Sequence, residues 1–259
     1  MVGSPIAHSL SPVMHRAAYA ALGLDWTYDA IDVQPGMLAS FVDGCDQTWV
    51  GLSVTAPLKR EAAEYAVTRG PVVEELGVAN TLIGGPDGWH AVNTDVPGAV
   101  DALRERGIDA VSSVRFLGGG ATVYSVLLAV RALDASAIEV WVRDPAKFPG
   151  GTSRLRGTLD GVTVRRLGDP IDEPVDLLVS TIPADAVPPE AVESAGAVFD
   201  VVYDPWPTFL VSAASAAGLP IVTGLDLLAH QAALQVELMT GEAIDVDLLR
   251  DAALEALAH

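Results

Sequence analysis

Short apolar runs alternate with amphipathic stretches along much of this 259-residue chain. Val114-Arg115-Phe116-Leu117, Ile138 to Val142, Val175 to Thr181, Val198 to Val202 and Ile221-Val222 read as strands, rich in branched or aromatic residues. A helix is predicted between the first two, from Thr122 to Leu133. Such alternation predicts an α/β fold with a largely parallel sheet. The two ends of the chain look different. Ser11-Pro12 predicts a helix start, with serine as the cap and proline at the first helical position. Ala17, Ala18, Ala21 and Leu22 form its apolar face, and Gly23 is its expected end. Two last helices are expected from about Asp226 to Met239 and from about Val246 to Ala258. The middle therefore reads as a unit of residues 97–225 inserted into a domain of residues 1–96 that 226–259 completes.

Composition narrows the function classes. Apolar residues make up 50% of the chain, enough for full cores. The net charge of −19 argues against nucleic acid or an anionic membrane as partner. Any anionic ligand must then be held by a few local cations and by backbone N–H groups. The single Cys45 excludes an internal disulfide and fits a reducing compartment. No 18-residue apolar run is present, and the N-terminus lacks a signal-peptide layout, so a soluble cytoplasmic protein is expected.

Candidate chemistry starts with a bias. Only Lys59 and Lys147 are lysines, against thirteen arginines. Lys59 closes the segment Ser53-Val54-Thr55-Ala56-Pro57-Leu58-Lys59. An ammonium can be tuned as a proton donor and a guanidinium cannot, so a lysine kept here points to acid–base work. A surface helix-start residue that escaped the bias is the competing reading. Asn80-Thr81 and Asn93-Thr94-Asp95 follow short apolar stretches. Asn and Asp there are ordinarily turn or cap residues. Beside Lys59, Asp95 has another use: an ammonium–carboxylate pair can bind neighbouring hydroxyls and pass a proton to a nascent alkoxide.

Gly118-Gly119-Gly120-Ala121-Thr122-Val123-Tyr124-Ser125 follows a strand and opens a helix, which is the setting of a dinucleotide fingerprint. Gly118 permits the tight turn, Gly120 permits close approach of a pyrophosphate, and the helix N-terminus offers donors to phosphate. Ser125 stands where a third glycine would. Arg143, after the next strand, favours a 2′-phosphate and hence NADP, with Lys147 as a second candidate cation. A surface arginine paired with Asp144 is the alternative.

Seven segments in one order resemble shikimate dehydrogenases. They are Gly3 to Pro12, Ser53 to Lys59, Ala79-Asn80-Thr81, Asn93-Thr94-Asp95, the glycine-rich turn, Tyr203-Asp204-Pro205, and Gly224-Leu225 through Gln231. The resemblance implies an α/β substrate domain and a Rossmann-like NADP-binding domain with a cleft between them. It implies Lys59 and Asp95 as the catalytic pair. Ser9 and Ser11 would hold a substrate carboxylate, with Tyr203 on the same side. Thr55, Asn80 and Gln231 would bind ring hydroxyls. Gly118, Gly119, Gly120, Ala121, Thr122, Arg143, Thr181 and Gly224 would line the cofactor site, with no metal. The implied reaction is hydride transfer to the 3-keto carbon of 3-dehydroshikimate, in a monomer or homodimer.

Departures from that pattern matter. Ser53 stands where the family usually has asparagine, so an amide contact becomes a shorter hydroxyl. Val142-Arg143-Asp144 stands for Asn-Arg-Thr, and Asp144 would repel a 2′-phosphate. Tyr124 replaces a later arginine, and Pro149-Gly150-Gly151 interrupts the helix expected after Arg143. Met1 begins almost on the first motif, so a trimmed start or a very short first strand is expected. A quinate/shikimate dehydrogenase using NAD is a rival of the same class. A non-catalytic shikimate or nucleotide sensor should have lost Lys59 or Asp95, and both are present. A plain dinucleotide-binding regulator leaves Ser9, Ser11, Asn80 and Gln231 without a role.

Overall fold

The two sheets at the start of the chain are built from short strands of two to five residues. The computed structural model describes residues 1–148 and 157–258. Strand β1 (Val2–Gly3) pairs in parallel with β2 (Ile31–Asp32), after helix α1 (Ser11–Ala21). Helix α2 (Leu38–Asp43) precedes β3 (Gly51–Ser53), and α3 (Lys59–Tyr65) precedes β4 (Thr68–Arg69). Then come α4 (Pro71–Leu76), the hairpin of β5 (Thr81–Gly85) and β6 (Gly88–Val92), and α5 (Asp95–Glu105). The larger sheet runs β3-β5-β6-β4, and a parallel bridge from Val2 to Val54 ties β1 to its edge. Leu38, Leu52, Leu58, Leu82 and Val73 fill the core of this region.

Helix α1 departs from the expected cap. It begins with Ser11 itself, and its cap position is Leu10, whose side chain makes no capping bond. The Ser9 hydroxyl takes that role, accepting from the Ser11 N–H at 3.3 Å. The expected stop holds: Gly23 lies at φ +67°, the left-handed conformation that glycine adopts without strain.

The middle of the chain comprises β7 (Ser113–Leu117), α6 (Ala121–Arg131), β8 (Ala137–Val142), β9 (Val162–Arg166) and β10 (Val175–Ser180). It continues with α7 (Glu190–Glu193), β11 (Ala195–Asp200), α8 (Phe209–Ala216) and β12 (Ile221–Thr223). All six strands are parallel, in the order β12-β11-β10-β7-β8-β9. This is the doubly wound order, and its direction of winding reverses between β7 and β10. The expected strands are all present. Strand β9 was not foreseen, since Val162-Thr163-Val164-Arg165-Arg166 is an edge strand whose residues are exposed or only partly buried. A short 3-10 turn, Pro145–Lys147, follows β8. The predicted interruption at Pro149-Gly150-Gly151 lies outside the described residues.

Arg115 shows how this sheet tolerates a buried charge in mid-strand. Its guanidinium donates to Glu139 Oε1 at 2.5 Å, to Ser194 Oγ at 2.8 Å and to the Glu173 carbonyl at 2.8 Å, and it lies over the Trp141 ring. A buried cation persists only when paired and hydrogen-bonded in this way.

Helices α9 (Gly224–Thr240) and α10 (Val246–Leu257) end the chain, and α10 packs against α1. The chain forms two compact units, Met1–Gly98 with Leu228–His259, and Ala99–Leu227. Among the described residues no helix is long and apolar enough to cross a membrane.

Candidate active site

In the first unit, polar residues converge where apolar ones would ordinarily sit. Lys59 opens α3 and Asp95 opens α5. Lys59 Nζ donates to Asp95 Oδ2 at 2.7 Å, and the two side chains are 14% and 10% exposed. The pair is thus mostly shielded from water yet reaches the surface. The Asp95 backbone is fixed by Asn93, whose Oδ1 accepts from the N–H groups of Asp95 and Val96. That is a side-chain cap of the usual Asx kind.

The other Asp95 oxygen, Oδ1, accepts from Asn80 Nδ2 at 2.8 Å. Asn80 Nδ2 also reaches Thr94 Oγ1 at 2.8 Å and Gln231 Oε1 at 3.2 Å. Asn80 Oδ1 accepts from the Thr94 N–H and from the Thr81 hydroxyl. Gln231 Nε2 donates to the Leu228 carbonyl of its own helix. Gly98 makes this approach possible, because a Cβ there would stand 2.9 Å from the Gln231 nitrogen. Lys59, Asp95, Asn80 and Gln231 are therefore one hydrogen-bonded group, although 151 residues separate Asn80 from Gln231.

The remaining predicted residues of this unit lie on neighbouring turns. Thr55 follows β3, and its methyl occupies the space a Gly3 side chain would need, 2.3 Å from an ideal Cβ. Ser9 is half-buried before α1, and Ser11 is buried with its hydroxyl against Tyr28. Ser53 does not leave a gap. Its Oγ accepts from the Tyr28 hydroxyl at 2.6 Å and donates to Gln235 Oε1 at 2.7 Å. Gln235, Tyr28 and His15 were not singled out from the sequence, and Thr81 entered only as part of the Ala79-Asn80-Thr81 motif. The available signal was Gln231 and Gln235, four apart and so on one face of a helix rich in apolar residues. His15 stacks on Tyr28 with ring centroids 4.1 Å apart, and burial lowers its pKa to about 4. Burial likewise pushes the Tyr28 phenol upward.

In the second unit, the glycine-rich turn leaves β7 and enters α6. Gly118 has φ +116°, and a Cβ there would stand 2.2 Å from Thr181 Oγ1, at the end of the adjacent β10. Thr181 Oγ1 donates to the Leu117 carbonyl at 3.1 Å. Gly118 and Thr181 therefore meet at the winding reversal, the position where doubly wound sheets bind ligands. Gly119 packs under Val142 and Phe148, whereas Gly120 caps α6 with open space beside it. Gly120 and Ala121 are exposed and Thr122 is half-buried. The turn thus presents unobstructed backbone N–H groups and a helix N-terminus, which suits a pyrophosphate.

Arg143 is exposed after β8 and makes no ion pair among the described residues. Asp144 turns away to other partners: it caps the following 3-10 turn through the Ala146 N–H and pairs with Lys147 at 3.3 Å. The alternative reading, an Arg143–Asp144 pair, is not what forms here. Tyr124 is buried and stacks on Phe148 at 5.9 Å, so it fills the turn's wall. Gly224 opens α9 with no room for a side chain, since a Cβ would meet the Val201 carbonyl at 2.2 Å. Tyr203 is half-buried after β11, and burial raises its pKa, with Asp204 adding to the effect. Among the described residues no cluster of acidic, His or Cys side chains could hold a metal ion.

Residues 1–82 match a family described as shikimate dehydrogenase substrate binding domain, and residues 224–254 match shikimate 5′-dehydrogenase C-terminal domain. A shikimate dehydrogenase (NADP(+)) of Methanocella arvoryzae is 34% identical, covering 99% of this chain and 98% of the relative. The crystal structure of a shikimate 5-dehydrogenase from Mycobacterium fortuitum is 39% identical with a TM-score of 0.83, covering 97% of this chain and 95% of that one. The Thermus thermophilus enzyme, solved with NADP(H) and shikimate, is 30% identical with a TM-score of 0.83, covering 98% and 97%.

Proposed function

The chain belongs to the shikimate dehydrogenase family, and on that premise we propose that it catalyses the reversible NADP-linked reduction of 3-dehydroshikimate to shikimate. The observation that carries the reading is the Lys59–Asp95 pair, 2.7 Å apart, partly shielded, and braced through Asn80.

The residues of the second unit fit the cofactor. Gly118 leaves the cradle that a Cβ would fill, Gly120 faces open space at the α6 N-terminus, and Arg143, without an ion pair among the described residues, would meet a 2′-phosphate. When bound, NADPH supplies the hydride that the carbonyl carbon receives.

The chain's own residues handle the proton. As the carbonyl becomes a hydroxyl, its oxygen gains negative charge, and Lys59 Nζ gives it one proton. Asp95 holds the ammonium in place and stabilises its charge before transfer, and its other oxygen is fixed by Asn80. The small exposed part of the Lys59 side chain lets the neutral amine recover a proton from water. In the reverse direction the amine removes the hydroxyl proton. Ser9 and Ser11 would hold the substrate carboxylate beside the α1 N-terminus, where the helix dipole favours an anion. Thr55, Asn80 and Gln231 serve the ring hydroxyls, and Tyr203 the carboxylate side.

Initial rates with shikimate or quinate, each with NADP+ or NAD+, test the reading. Shikimate with NADP+ is expected to be the fastest combination. Quinate with NAD+ matching or exceeding it would replace the proposal with a quinate dehydrogenase.

A further inference from the structure

We propose that Gln235 is a positioning residue, acting through Thr81 and Asn80 to aim the Asp95–Lys59 pair. This rests on the function proposed above for that pair. Gln235 touches neither Lys59 nor Asp95. It is 1% exposed on α9, and all of its carboxamide is engaged. Oε1 accepts from Ser53 Oγ at 2.7 Å, while Nε2 donates to the Asn80 carbonyl at 3.1 Å and to Thr81 Oγ1 at 2.8 Å.

The polarity of these bonds is the argument. A hydroxyl has one proton to give. Thr81 Oγ1 accepts from Gln235, so its proton goes on to Asn80 Oδ1 at 2.9 Å. With its oxygen engaged there and by the Thr94 N–H, the Asn80 amide must present Nδ2 to Asp95. The reversed amide would place an oxygen against the Asp95 carboxylate. On the other side, the Tyr28 hydroxyl donates to Ser53, which leaves the Ser53 proton for Gln235 Oε1 and fixes the orientation of that amide too. The relay runs one way from Tyr28 through Ser53, Gln235, Thr81 and Asn80 to Asp95. It also gives Ser53 a purpose: the short hydroxyl leaves room for the Gln235 amide, which crosses from α9 to the β3–β5 ladder where Ser53 and Thr81 are paired.

Gln235→Met keeps the side-chain length and removes the bonds, and Thr81→Val does the same at the next link. Thr81→Ser keeps the hydroxyl. Both relay-breaking variants are expected to lower kcat about ten- to hundredfold, the range for small misplacement of catalytic groups, with KM for NADP+ unchanged. A carboxylate that loses a donor binds a proton more readily, so the acid limb of the kcat–pH profile should move to higher pH. Thr81→Ser should behave as wild type. Structural damage alone would scale the profile down without moving it, and superimposable normalised profiles would overturn the proposal. Exchange of the Asn80 side-chain amide protons, followed by NMR, reads the relay without turnover. It should be slow in wild type and Thr81→Ser, and fast in Gln235→Met and Thr81→Val. Slow exchange in all four would also overturn the relay. A wild type that shows this exchange pattern but does not oxidise shikimate would leave the relay standing and reject the function.

Discussion

His15 should make the first unit sensitive to acid, by an amount the structure allows to be worked out. The ring is fully buried on α1, stacked on Tyr28 at 4.1 Å and edge-on to Tyr19. Nδ1 lies 3.0 Å from the Ser11 carbonyl, which fixes the proton on that nitrogen, and Nε2 is buried without a partner within hydrogen-bonding distance among the described residues. Burial is the main cause lowering its pKa from 6.5 to about 4; the N-terminal ammonium adds to it, while Ser11 and Gln235 oppose it. The unfolded chain therefore takes up a proton near pH 6.5 that the folded chain refuses until about 4. Between those values the unfolded state binds more protons, so stability falls as pH falls. At about 1.4 kcal/mol per pH unit the full loss is roughly 3 kcal/mol, of which about 2 kcal/mol is reached by pH 5. His15→Phe keeps the stack and abolishes the titration. Urea unfolding of both proteins at pH 7.5 and 5, above the pI of about 4.4, reads the difference. Wild type should lose about 2 kcal/mol more than His15→Phe. The N-terminal amine, which burial holds near 5, has the same sign in both proteins and cancels. Parallel losses in the two proteins would refute the reasoning.

Lys59→Ala should lower kcat roughly 10²- to 10⁴-fold, as expected for loss of a general acid, while substrate affinity changes much less. Lys59→Arg should not restore it, since guanidinium keeps the charge without a usable proton; wild-type turnover in either variant would reject the proton-donor role. Asp95→Asn should impair kcat as well, by removing the carboxylate that holds the ammonium. Arg143→Ala should raise KM for NADP+ and leave that for NAD+ nearly unchanged, because only NADP+ carries the 2′-phosphate. Equal weakening of both cofactors would make Arg143 a general adenosine contact. Asp144→Ala should favour NADP+ only modestly, because Asp144 is already held by Lys147 and the Ala146 N–H.

Much of the architecture was legible in local patterns. The strand–glycine–helix passage from β7 to α6 is written in adjacent residues, and the left-handed turn at Gly118 needs the residue type found there. Lys59 stood out as one of only two lysines against thirteen arginines, and Asp95 through the short polar motif Asn93-Thr94-Asp95. Other features depended on partners far along the chain. Strand β9 is legible only beside β8, since its exposed or partly buried residues carry too weak an alternation. Arg115 reads as an error in a strand until Glu139, Ser194 and the Glu173 carbonyl surround it. Ser53 read as a lost contact until Gln235, 182 residues later, was seen to reach it. Turn chemistry and periodicity act over a few residues and leave their mark in sequence. The orientation of an amide is decided by which donors and acceptors surround it, and only the folded chain brings those groups together.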